Sequence, residues 1–280
     1  MTRTRPRGTP RRMARTKRAP QSETRETLSF LLKLAIIVFI VRSFVFASFY
    51  IPSESMLPRL LIGDFLFVSK WNYGYSRWSL PWGLPLIPGR ILPHTPARGD
   101  VVVFRSPGDD DHDVIKRVIG LPGDTVQMRH GQLWLNGKAI PKQRVADFVL
   151  PLTANFPARL CDTPFQGVGS NGQPVCRYPR FRETLPGGKS YDVLDQRMIP
   201  QADDTDVYTV PPGDVFLMGD NRDDSADSRF AYPEGMGYIP MERIEGKAVV
   251  TFFSTDGSSS WLKPWTWVSA ARLDRIGEGF

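Results

Sequence analysis

Two serines stand two positions apart in Ile51-Pro52-Ser53-Glu54-Ser55-Met56-Leu57-Pro58, a segment stiffened by a proline at each end. In an extended chain residues i and i+2 leave on the same side, so Ser53 and Ser55 project in a fixed relation. A serine becomes a nucleophile only with a base within hydrogen-bond reach, and this segment supplies none; inert Ser-Pro connectors have the same composition. The three histidines, His94, His112 and His130, sit beside Pro, Asp or Gly in turn-like surroundings. Lys116 is the better base. Strand alternation in Val114-Ile115-Lys116-Arg117-Val118-Ile119 puts Val114, Lys116 and Val118 on one face. If that face is the core, desolvation favours the neutral amine and lowers its pKa toward a proton-accepting range. If Ile115 and Ile119 face the core instead, Lys116 is an ordinary solvated lysine. A third polar cluster, Gly219-Asp220-Asn221-Arg222-Asp223-Asp224-Ser225-Ala226-Asp227-Ser228-Arg229, follows the apolar run Val215 to Met218 and reads as a loop at a strand end. It is either a surface Asx-turn loop or part of a site; its acid density suggests calcium, but the EF-hand spacing with a closing Glu is absent.

The elements that must hold these residues are strands. Gly-Asp occurs six times, and four of the pairs open into apolar runs beginning at Phe65, Val101, Thr125 and Val215, a turn-then-strand signature. Asn136-Gly137 between two apolar arms predicts a hairpin. No helical period is sustained after residue 55. Residues 141–212 are rich in Pro, Gly and Arg and alternate little. The fold predicted is therefore mainly β: an N-terminal transmembrane helix, then an antiparallel β-sheet or barrel-like domain carrying 141–212 as a long inserted loop region. Cys161 and Cys176 both lie in the insertion. Outside the cytoplasm they are expected to form a disulfide, stabilising by about 3 kcal/mol or less; otherwise they are two unrelated thiols. With 2 Cys and 3 His the chain has no four-cysteine zinc site, and no metal or cofactor is expected.

Charge and hydropathy place the domain. The 280 residues are 41% hydrophobic and 23% charged, a globular composition, with a net charge of +7. Nine basic and two acidic residues fall within 1–26, so the remaining 254 are balanced at 27 of each. That arm cannot bury a core and reads as disordered; its charge suits nucleic acid or anionic lipid. The apolar stretch from Leu28 to Ile51 decides for lipid. Lys33 and Arg42 fall on opposite sides of a helix through it, so it is not an amphipathic soluble helix but a membrane anchor over 27–49. A cleaved signal peptide would have a shorter apolar region. The positive-inside rule puts the arm in the cytoplasm and residues 50–280 outside. Trp261, Trp265 and Trp267 belong either to the membrane interface or to the core.

In order, IPSESMLPRLLIGDFLFVSK, RGDVVVF, DVIKRVIGLPGD and GDNRDDSADSR resemble the type I signal peptidases, membrane-anchored Ser-Lys proteases that remove signal peptides from exported proteins. The resemblance runs from about Phe44 to Ala248 apart from the insertion, and resumes at Arg272-Leu273-Asp274-Arg275-Ile276-Gly277. It implies a serine endopeptidase with Ser55 as nucleophile and Lys116 as general base. Ser53 joins the Ser55 N–H in the oxyanion hole, Ser225 orients the lysine, and Asp227 and Arg229 form a structural ion pair. Ile51, Pro52, Val114 and Ile115 would bind substrate with an Ala-X-Ala pattern before the cut. The implied location is the inner (cytoplasmic) membrane, single-pass, with the catalytic domain on the periplasmic side. Partners would be signal-peptide-bearing preproteins, membrane lipid and the export translocon, without nucleic acid. The chain departs from the family pattern at Glu54, often Gly, at Arg59, often Thr, and at Asp224, often Asn. Two other classes share parts of this pattern: a DNA-binding regulator with an autoproteolytic Ser-Lys domain, which needs a folded reading helix where the span lies, and a non-catalytic tethered β domain.

Overall fold

The computed structural model describes residues 23–108, 112–260 and 262–280. Glu23–Phe44 is one 22-residue helix, about 33 Å long at 1.5 Å per residue, against a hydrocarbon thickness of about 30 Å. Leu28, Phe30, Leu31, Leu32 and Ile37 are all exposed on it. Among the described residues it is the one helix long and apolar enough to cross a membrane. Residues 1–22 of the predicted arm lie outside the described residues, and Glu23 to Glu26 belong to the helix. The helix stops at Phe44, which corrects the predicted 27–49 boundary. Phe46–Tyr50 is a strand paired antiparallel with Asp64–Ser69, from Phe46↔Ser69 to Tyr50↔Phe65. The exchange happens at Val45, whose N–H donates back to Val41 O at 2.9 Å while its carbonyl accepts from Lys70 N–H at 3.0 Å. The aromatic side chains of this stretch therefore belong to a sheet, and the domain begins four residues before the predicted residue 50.

The main sheet is antiparallel and seven-stranded, in the order Phe46–Tyr50, Asp64–Ser69, Ile244–Ser254, Val101–Arg105, Asp113–Gly120, Asp214–Met218, Ile239–Pro240. Four Gly-Asp pairs start strands by one device, three in this sheet and one, at Gly123, opening Thr125–Arg129 in a second, four-stranded sheet. Gly63, Gly99, Gly123 and Gly213 all have positive φ, from 84° to 98°. Each following Asp N–H donates to the carbonyl three residues back, the geometry of a type II turn with its glycine at the third position. In the first three turns the Asp carboxylate also accepts the N–H at the turn's start, from Leu61, Ala97 and Leu121. Bulges within Ile244–Ser254 bend and twist that strand, giving the sheet the curl of a barrel-like fold. One core packs Ile51, Met56, Leu60, Leu66, Val68 and Val101; another packs Val102, Phe104, Val118 and Leu217.

The 141–212 stretch is a sheet, not the loop region the sequence suggested. Lys142–Pro151, Pro174–Thr184 and Gln166–Val168 pair antiparallel, and Ser190–Leu194 pairs with Pro174–Thr184. Its arginines obscure the alternation. Along Pro174–Thr184, Val175, Cys176, Tyr178 and Glu183 are buried while Arg177 and Arg182 face water. Cys161 and Cys176 are joined by a disulfide across a sequence separation of 15, inside an apolar cluster that includes Leu57, Leu61 and Ile62 from beside the two-serine segment. A loop of that length confines the unfolded chain by about 3 kcal/mol. The Cys161→Ala/Cys176→Ala protein is therefore expected to unfold at lower urea concentration, followed by near-ultraviolet circular dichroism; an unchanged midpoint would exclude this contribution.

Trp265 and Trp267 are 71% and 44% exposed, so Trp265 is not a core residue; Trp261 lies outside the described residues.

Candidate active site

The two-serine segment is clamped on both sides. Met56, Leu57 and Leu60 are buried beneath it. From the 219–229 loop, Asn221 N–H donates to Ser55 O at 3.1 Å and Asn221 Nδ2 to Glu54 O at 3.3 Å. The backbone is thus fixed while the side chains stay open: Ser53 is exposed, Ser55 half-buried, and their Oγ atoms are 3.5 Å apart. Glu54 lies toward the insertion. Burial first, then the charges of Asp224, Asp162 and Glu54, hold the Tyr178 phenol above its ordinary value.

Lys116 comes from the middle of Asp113–Gly120, opposite Val102. It is only 3% exposed, and its Nζ donates to Ser55 Oγ at 2.6 Å. Burial pushes the amine down to about 8, with Arg229 acting in the same sense and the carboxylates of Asp227 and Asp220 opposing it. The buried-face reading of Lys116 is therefore the one the fold adopts, although neighbours on both faces are buried: Arg117 is 2% exposed and Val118 is fully buried.

A cleft of about 350 Å³ opens over this pair, lined by Ile51, Pro52, Ser53, Val114 and Ile115 as well as Ser55 and Lys116. Phe49, Tyr50, Val103, His112, Asp113, Ala226 and Met236 complete its wall. Its floor ends in a strand edge. Asp113–Gly120 pairs along one side with Val101–Arg105 down to Asp113↔Arg105, but its ladder to Asp214–Met218 stops at Arg117↔Met218. Asp113 to Lys116 thus keep one backbone edge without a strand among the described residues.

The remaining predicted residues differ among themselves. Asp227 and Arg229 form a fully buried pair, with Nε to Oδ1 at 2.9 Å and Nη2 to Oδ2 at 3.0 Å, and Asp227 Oδ2 also accepts Gly219 N–H at 2.9 Å. Ser225 is buried, but its Oγ makes no hydrogen bond, so the expected contact with the lysine amine is not formed here.

Comparison with known proteins gives this geometry a context. The family model described as signal peptidase, peptidase S26, matches residues 24–253. The chain belongs to the peptidase S26 signal peptidase family. Proteins named signal peptidase I from Rickettsia typhi and Rickettsia conorii are 33% and 34% identical over 263 residues, covering 86% of this chain and 88% and 87% of theirs. A signal peptidase I crystal structure from Enterococcus faecalis V583 matches at 27% identity and TM-score 0.29, covering 55% of this chain and 97% of that one; at that score it adds nothing to the fold described above. As a member of this family the chain is a serine endopeptidase acting on signal peptides, and its N-terminal apolar helix fits a membrane-anchored protein.

Around the peptidase's Ser55–Lys116 pair lie residues that motif reading passed over. Arg117 grips Asp220 with Nε and Nη2 at 2.7 and 2.6 Å, both side chains at most 2% exposed. Arg222 grips Glu183 of the insertion at 2.9 and 2.6 Å, equally buried. Tyr191 OH donates to the same Glu183 at 2.9 Å. Gly219 has no room for a side chain: a Cβ there would meet Ser225 and come within 2.6 Å of Ser55 O. The one sequence signal for these ion pairs is charge inside strands otherwise expected to be half apolar.

Proposed function

We propose that the chain is a Ser-Lys peptidase that cuts signal peptides from exported preproteins after small residues, through an acyl-enzyme on Ser55. The observation carrying this reading is the 2.6 Å contact between Ser55 Oγ and a buried Lys116 amine, beside an open cleft. Neutral Lys116 takes the Ser55 proton as Oγ attacks the scissile carbonyl carbon. Ser53 Oγ–H and Ser55 N–H donate to the oxyanion, each contributing roughly 2.7–4 kcal/mol. The protonated lysine then gives its proton to the leaving amine, releasing the mature chain. Water, deprotonated by Lys116, hydrolyses the ester and frees the signal peptide. The Asp227–Arg229 pair fixes the loop behind the lysine, and the uncommitted Ser225 hydroxyl is available to hold the amine.

Substrate adds as a strand along the free edge of Asp113 to Lys116, its alternate side chains meeting Ile51, Pro52, Val114 and Ile115. That shallow wall favours Ala-X-Ala. The basic N-terminal arm faces the cytoplasm and anionic lipid, and the catalytic domain lies on the far side of the inner membrane, near the translocon from which preproteins emerge. The test is cleavage of a preprotein by the detergent-solubilised chain, with the new N-terminus read by mass spectrometry. A single cut after the small residue is expected, and replacing that alanine with leucine in the substrate should lower kcat/KM by about tenfold or more. An uncut preprotein, or equal cleavage of the leucine substrate, excludes this reading.

A further inference from the structure

Away from the cleft, three carboxylates converge from three segments. Asp195 follows the Ser190–Leu194 strand, Asp203 ends the short Pro200–Asp203 helix, and Asp223 belongs to the 219–229 loop. One carboxylate oxygen from each lies within 4.8 Å of the other two. The groups are held from behind. Ile199 N–H donates to Asp203 Oδ2 at 2.5 Å, and the N–H groups of Gln196 and Arg197 donate to Asp223 Oδ2 at 2.6 and 2.9 Å. Lys142 Nζ donates to Asp195 Oδ2 and to Gly131 O.

This leaves Asp203 Oδ1 and Asp223 Oδ1 buried and accepting no hydrogen bond, in a protein where Asp203 is only 1% exposed. Two unmatched buried carboxylate oxygens are costly unless something cationic or a proton meets them. Gly131 supplies the space. A Cβ there would stand 3.2 Å from Asp195 Oδ2 and 3.7 Å from Asp203 Oδ1, so these two oxygens border one point that carries no side chain. Among these hydrogen bonds to the carboxylates only one, from Lys142 to Asp195, comes from a cationic side chain.

An all-carboxylate donor set suits a hard cation. Oxygens about 2.3–2.6 Å from a common calcium and 120° apart are separated by about 4.0–4.5 Å, inside the 4.8 Å within which this cluster's oxygens lie. We propose that Asp195, Asp203 and Asp223 bind one Ca²⁺ ion, which clips the insertion to the loop carrying Asn221 and Ser225. No spacing rule reads such a site, because its ligands come from three separate places in the chain.

The test uses the full chain in detergent, stripped of divalent ions, with calcium chloride as the probe. Calorimetry is expected to show one saturable site with Kd of about 10⁻⁴–10⁻³ M, the range of extracellular calcium modules, and a thermal midpoint that rises with calcium and less with magnesium. Asp203→Asn and Asp223→Asn each keep an oxygen for the backbone N–H while removing the charge. Either should weaken calcium binding at least tenfold while leaving the calcium-free midpoint equal or higher. No saturable heat with wild type, or equal affinity in both variants, overturns the proposal. So does a midpoint that rises on acidification and ignores calcium, the mark of a shared proton. None of these readouts needs peptidase activity, so they stand apart from the fate of the Ser-Lys reading.

Discussion

Lys116→Met is expected to lower kcat/KM for preprotein cleavage by about 10³-fold or more, the scale of a lost general base acting with its nucleophile. Ser55→Ala should cost at least as much, and the double variant no more than the worse single one, because the two groups act as one unit. Methionine keeps the buried stem of Lys116 but carries no charge to desolvate, so this protein should be no less stable than wild type. Lost activity without lost stability separates a chemical role from a packing role. Lys116→Arg keeps the charge but cannot give up its proton, and should be inactive at every pH. The pH profile adds the sign. With the amine lowered to about 8, the neutral, competent form is the minor one below pH 8. The rate should climb about tenfold per unit up to there and level off above. A flat profile from pH 6 to 9, or an active Lys116→Arg protein, would remove Lys116 from the mechanism.

What could be read in the sequence follows what is local. The four Gly-Asp turns and the Asn136-Gly137 hairpin, where both residues have positive φ, are set by a few adjacent residues, and such signals survive into the fold. The four residues expected to bind substrate all line the cleft. Phe46 and Phe49 fall inside the expected 27–49 anchor because apolar aromatics suit a membrane interface and an outer strand equally; only the pairing with Asp64–Ser69 separates the two. The insertion misled for a related reason. Arg177, Arg180 and Arg182 on one strand look like solvent-exposed loop, yet each long side chain can lie across a sheet with its charge in water or on Asp192. The least legible residue is Glu183, one acid among those arginines. Nothing nearby in sequence announces that it meets Arg222, 39 positions on.

That pair yields the second large effect. Glu183→Ala is expected to destabilise the protein by about 3–5 kcal/mol, the penalty for leaving one member of a buried ion pair without its partner. Arg222 and Glu183 are 2% and 0% exposed, so water cannot replace the lost carboxylate. The consequences reach two directions. Tyr191 loses the acceptor of its hydroxyl. Arg222 also donates from Nε to Gly219 O at 3.2 Å, and its carbonyl accepts from Arg229 at 2.5 Å. Loosening Arg222 therefore loosens the loop whose Asn221 holds the backbone of Glu54 and Ser55. The urea midpoint should fall steeply, and at temperatures below the transition kcat/KM should fall as well, although Glu183 touches neither Ser55 nor Lys116. Replacing both partners, as Glu183→Leu with Arg222→Met, removes the stranded charge and should recover much of the stability. It should not restore the rate fully, because the anchor to Gly219 is gone. Arg182→Ala, on the same strand but breaking an exposed pair with Asp192, is the control and should barely move the midpoint. If Glu183→Ala shifts the midpoint no more than Arg182→Ala, the insertion is not an anchor of the catalytic loop. If instead Glu183→Ala lowers both the midpoint and kcat/KM while Arg182→Ala changes neither, the insertion's strand is part of what holds Ser55 in place.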